Sequence, residues 1–175
     1  IETLDGLLKH NGPIVDLDPI KRLIGLNQLK NKIKFNAYPS LEAQISSISD
    51  DIAYNNHDIQ DGIRAKMFKL NDLIEINFFK YIYQDYKSLI KSKNKDILVY
   101  QIIRDSINLM VKDLITNSIK NIRNQKIKNT KDIFESGSQL ICFSEKFKKI
   151  EKEIRFFLRT KMYNDKNVLI KNNQG

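Results

Sequence analysis

The 175-residue chain is 41% hydrophobic and 29% charged, enough apolar content to bury a core within one domain. Its formal charge is +9, yet the lysines are scattered, so a solvated lysine-rich surface accounts for the charge better than a nucleic-acid interface does. Every apolar run is cut by Lys, Asn or Asp within a few positions, which excludes a membrane-spanning helix, and the single cysteine, Cys142, excludes an internal disulfide and points to a reducing cytoplasm.

The opening "IETLDGLLKH" reads as amphipathic helix with nothing ahead of it to cap the first turn, so a longer parent protein is expected. No signal peptide is expected from these residues, since they lack a basic segment followed by an apolar one. Asn11-Gly12-Pro13 ends this helix, and Asp18-Pro19 reads as an N-cap opening a short helix to about Lys32. All three prolines, Pro13, Pro19 and Pro39, lie in the first 39 residues, which suits long helices thereafter.

Ser40 caps the next predicted helix, whose Leu41, Ile45, Ile48, Ile52, Ile59 and Ile63 recur at helical spacing. Asn71 is expected to cap another, carrying a stripe of Ile74, Phe78, Ile82, Tyr86 and Leu89, with Lys80, Lys87 and Lys91 opposite. A long helix is predicted from about Asp96 to Asn124, with Ile103, Ile107, Met110, Leu114 and Ser118 on one face. "IKNTKDIFESGSQL" is expected to be loop or short extended chain, and Ser144 to cap a last helix through Phe157. The tail "NVLIKNNQG" is polar and expected to fray. With no useful strand alternation, the expectation is an all-α helical bundle in which residues 1–175 form a single segment. No Gly-rich phosphate loop, internal repeat or Cys/His metal cluster is present.

The stretch "SISDDIAYNNHDIQDGIRA" concentrates acids in a lysine-rich chain. At about 100° per residue the isoleucines gather within about 60° on one side, while Asp50, Tyr54, His57, Asp58 and Asp61 form a strip opposite. A solvated acidic face would look the same. Two features favour a site: Asp50, Asp58 and Asp61 repel one another along that strip, and the segment from Leu41 to Ala65 contains no lysine to relieve them. His57-Asp58 imitates a metal-binding dipeptide, but neighbouring helical residues diverge by about 100°. The chain's other histidine, His10, cannot complete a histidine-rich metal site.

"PSLEAQISSISDDIAYNNHDIQDGIRA" closely resembles a signature of the deoxynucleoside triphosphate triphosphohydrolases, the dGTPase-like branch of the HD-domain superfamily. "ETLDGLLKHNGP", "IRDSINLMVKDLITNS" and "FLRTKMY" match further family segments, so the resemblance covers nearly the whole chain but only the C-terminal half of a family member. It implies hydrolysis of a dNTP by metal-activated water to deoxynucleoside and triphosphate, with Mg or Mn as the divalent metal. It further implies Asp50 as a metal ligand, Tyr54 packed on the deoxyribose, and Asp58 accepting a hydrogen bond from the 3′-hydroxyl. His57 is left as a residue beside the site, and Arg64 and Arg104 as candidates to reach a phosphate. In "MYNDKNV", Asn164 and Asp165 stand where the family shows more basic residues.

The family's first histidine and His-Asp pair belong to the upstream half, so no complete catalytic set is expected here and the metal is not expected to bind this chain tightly by itself. The expected partners are a dNTP once an N-terminal half completes the site, and other polypeptide chains in a homo- or hetero-oligomer; neither membrane nor nucleic acid is expected. The alternative is a non-catalytic helical assembly module that associates with a complementary half or a full-length relative.

Overall fold

A computed structural model describes residues 1–20, 32–86 and 95–164. Among these the regular structure is entirely helical: α1 (Glu2–Leu8), a 3₁₀ turn (Asp18–Ile20), α2 (Leu41–Arg64), α3 (Leu70–Leu73), α4 (Asn77–Gln84), α5 (Lys95–Asn124), α6 (Thr130–Glu135) and α7 (Glu145–Leu158), the last running into a π-helical turn at Arg159–Tyr163. The all-α expectation therefore holds. No helix among the described residues is long and apolar enough to cross a membrane.

The caps explain the boundaries. Ser40 Oγ accepts from the Ala43 N–H at 3.4 Å, and Ser144 Oγ accepts from the Phe147 N–H at 3.4 Å, so both expected serine caps are present. The helix expected from Asn71 is instead two: Lys69 precedes α3, whose Asp72 carboxylate accepts from the Lys69 N–H at 2.7 Å, and the chain breaks at 74–76 before α4. The stretch expected as loop holds α6, where Asn129 Oδ1 accepts from Lys131 and Asp132 N–H, and Asp132 reaches back to the Asn129 N–H. The helix expected to run to Lys32 begins as the 3₁₀ turn, and its remainder lies outside the described residues, as do Lys87, Leu89, Lys91 and the tail.

The chain divides into two compact units, residues 1–50 with 114–142, and residues 51–113 with 143–175. In the first unit α1 meets the start of α2 closely enough that a Cβ on Gly6 would lie 2.9 Å from Ala43 Cβ. Ile33 and Phe35 are buried there against Leu8, Ile14, Leu17 and Ile20. The buried Gln44 ties this unit together: its Nε2 donates to the Pro39 carbonyl at 2.9 Å, and its Oε1 accepts from Leu140 and Ile141 N–H at 3.0 and 3.1 Å. One side chain thus satisfies three backbone groups that sequence separation leaves without regular partners.

The second unit is built on aromatic packing. Phe68 meets Phe157 edge-on at 4.9 Å between centroids, and Phe78 meets Phe147 at 5.7 Å. Asp113 anchors the start of α7 by accepting from both the N–H and the hydroxyl of Ser144. Phe68 also lies over Gly62, where an added Cβ would sit 2.2 Å from Cε1 and 2.5 Å from Cζ. Gly62→Ala gains about 1 kcal/mol of helix propensity but overpacks a filled site, which costs about 1–3 kcal/mol, so net destabilisation is expected in urea melts. If Gly62→Ala proves stabilising, the Phe68 packing is wrong; Gly62→Ala/Phe68→Leu should recover part of the loss.

Lys66 ends α2 in the left-handed region, φ 60°, with the Met67 N–H bonded to the Gly62 carbonyl at 2.9 Å and the Lys66 N–H to the Ile63 carbonyl at 3.1 Å. Lys126 ends α5 in the same way, φ 53°. These are Schellman-type ends with lysine where glycine is favoured. Lys66→Gly is expected to stabilise by about 0.5–1 kcal/mol, since relief of the Cβ penalty exceeds glycine's entropy cost. A lowered urea midpoint would contradict this.

Candidate functional site

Asp50, Tyr54 and Asp58 all lie on α2, spaced four residues apart, so they follow one another along one face over about 12 Å. Asp50 is the last residue of the first unit, and Tyr54 and Asp58 belong to the second. Asp50 is exposed and makes no hydrogen bond or ion pair with another described residue. Tyr54 is 69% exposed, a large ring left mostly open to solvent among the described residues.

Asp58 is different. It is half-buried, and Tyr163 donates its hydroxyl to Asp58 Oδ2. Partial burial first, and then the bond and charge of Asp58, push the Tyr163 hydroxyl up to about 12, with Arg155 opposing. Because the folded value is raised, the tie's contribution to stability is present below the ordinary tyrosine range near pH 10 and is lost as pH climbs through about 12. Two turns earlier on α2, Asp51 pairs with Arg155 Nη2 at 2.9 Å, and Arg155 Nε bonds Glu151 within α7.

His57 is exposed and without a hydrogen bond or ion pair to a described residue, so it is not brought to the Asp58–Tyr163 pair by any such contact. Arg64 pairs weakly with Asp61, 3.7 Å, at the exposed end of α2. Arg104 lies on α5, its Nε 3.6 Å from Asp105 Oδ1. Arg155 and Tyr163 escaped sequence reasoning. They lie 104 and 105 residues from the acids they meet, a separation that no local pattern can bridge. A further polar feature lies in the first unit: Lys9, fully buried, has Nζ 2.6 Å from Asp5 Oδ1 and lines a cavity of about 310 Å³ with Lys32, Lys34 and Lys131.

Among the described residues no three His, Cys, Asp or Glu side chains come together to hold a metal ion. Asp50 offers one hard, unshared carboxylate, which suits one position of an oxygen-rich coordination set and does not make a site alone.

No protein-family model matches the chain. It is 69% identical over all 175 residues to a protein of Pelagibacter ubique (strain HTCC1062) named deoxyguanosinetriphosphate triphosphohydrolase-like protein, and covers 47% of that protein. Proteins of the same name in Rickettsia rickettsii (strain Iowa) and Rickettsia typhi (strain ATCC VR-144 / Wilmington) are 34% and 35% identical over 95% and 96% of the chain, which covers 43% of each. The chain therefore spans about half the length of these curated relatives. It is a homologue of the deoxyguanosinetriphosphate triphosphohydrolase-like proteins, corresponding to about half of one.

Proposed function

We propose that this chain supplies one wall of a dNTP triphosphohydrolase site, with the remaining metal ligands contributed by polypeptide outside these 175 residues. The overall reaction is dNTP plus water to deoxynucleoside plus triphosphate. In this reading Asp50 contributes one carboxylate to a Mg or Mn site, Tyr54 packs against the deoxyribose, and Asp58 accepts from its 3′-hydroxyl. His57, Arg64 and Arg104 stand at the margin, the arginines available to a phosphate only if they leave their aspartate neighbours. The observation that carries the reading is the helical placement of Asp50, Tyr54 and Asp58 on one face of α2, with a carboxylate and an aromatic ring left open to solvent.

The second reading, a non-catalytic assembly module, draws on exposed apolar side chains within the first unit, Leu7 at 71% and Ile115 at 54%. The two part on activity. A chimera in which this chain replaces the stretch that it matches in the Pelagibacter ubique relative is expected to release triphosphate from dGTP with Mg²⁺ or Mn²⁺. The isolated chain is expected to release none. A folded chimera without turnover would refute the catalytic reading, and turnover by the isolated chain would refute its dependence on other polypeptide.

A further inference from the structure

The contact between Tyr163 and Asp58 is built by a local irregularity. From Arg155, a regular α-helix would bring Met162 back to within about 20° of the same side and leave Tyr163 about 80° away. The π-helical turn changes this: the Asn164 N–H bonds to the Arg159 carbonyl five residues back, at 3.1 Å. The extra residue in that turn sets Tyr163, rather than Met162, on the side of Arg155. Arg155 and Tyr163 then meet Asp51 and Asp58, which are seven residues apart and so also share one side of α2. The result is a pair of ties about two turns apart, the first ionic, the second a hydroxyl-to-carboxylate bond.

An ionised carboxylate has two oxygens and no donor. Tyr163 engages Oδ2, and no described residue hydrogen-bonds Oδ1. We propose that Tyr163 is a positioning residue whose hydroxyl fixes Asp58 by Oδ2 and presents Oδ1 to the 3′-hydroxyl of a deoxyribose. The proposal rests on reading Asp58 as the sugar acceptor. It adds a cause for its selectivity: the carboxylate is held in one rotamer, so a sugar without a 3′-hydroxyl leaves a desolvated acceptor unpaired.

Two measurements test it. In the chain itself, NMR of ring-labelled tyrosine at pH 11 is expected to show Tyr163 still protonated when ordinary tyrosines have ionised; in Asp58→Asn it should ionise with them. Ionisation of Tyr163 with the others in the unsubstituted chain would overturn the tie. In the Pelagibacter chimera, kcat/KM for dGTP over 2′,3′-dideoxyguanosine triphosphate is expected to fall about fivefold to tenfold in Tyr163→Phe, which keeps the ring and removes the donor. Unchanged preference in Tyr163→Phe would overturn the positioning role while sparing Asp58. Absence of any 3′-hydroxyl preference before substitution would overturn the reading of Asp58 itself, and the proposal with it.

Discussion

Asp50→Ala in the Pelagibacter chimera is expected to lower dGTP hydrolysis about a thousandfold, because a metal acting as Lewis acid supplies several kcal/mol and each 1.4 kcal/mol is tenfold in rate. The fold should not notice. Asp50 is exposed on α2 and bonds no described residue, so its loss belongs with surface substitutions that change stability by about 0.5 kcal/mol or less. That separation makes the test clean: activity falls, the melting curve does not, and bound Mn²⁺ per protomer drops with activity. Asp50→Asn, which keeps the shape and removes the charge, should follow Ala. Undiminished hydrolysis, or lost hydrolysis with metal content unchanged, would remove Asp50 from the ligand set. Tyr54→Ala should behave otherwise, raising KM for dGTP more than it lowers kcat, since a ring packed on the sugar binds ground and transition states alike.

The long helices were legible because their periodicity and caps agree. Ser40, Ser144 and the span to Asn124 are found where pattern and capping chemistry put them. The inner face of α2 was less so. Periodicity assigned it to Leu41, Ile45 and the isoleucines beyond, yet Ile45 is 48% exposed while Gln44, Asn55 and Asn56 are buried. Hydropathy cannot anticipate a buried amide, because its burial depends on backbone partners from distant segments, here the 140–141 N–H groups that Gln44 receives. The α6 capping box was readable at Asn129 and Asp132, but a six-residue helix with one buried apolar residue, Ile133, has no periodicity to read. For the candidate site, the spacing of Asp50, Tyr54 and Asp58 was visible in the sequence, and the roles proposed for them come from the family resemblance. Tyr163 was not visible, since a π turn has no sequence period and its partner lies 105 residues away.

The largest expected loss of stability lies in the first unit, at Asp5. Its carboxylate is 2.6 Å from Lys9 Nζ, one helical turn on, with side-chain exposures of 8% and 0%. The ammonium makes no well-aligned hydrogen bond to a described residue, so charge rather than bonding geometry compensates its burial. Glu2 and Glu135 line the same cavity but stand exposed, Glu2 paired with the N-terminal amine at 3.4 Å and Glu135 with Lys131 at 3.7 Å. Asp5→Ala would leave a fully buried cation without its counter-charge, a change that costs about 3–5 kcal/mol. Urea melts at constant m should show that loss. Asp5→Ala/Lys9→Met should recover most of it, because a buried pair and an apolar replacement of similar volume are close in energy, whereas half a pair is not. If the single variant loses under about 1 kcal/mol, the pair is not what holds α1 in place. If the double variant is no better than the single, the loss came from packing around Asp5 and not from the stranded charge.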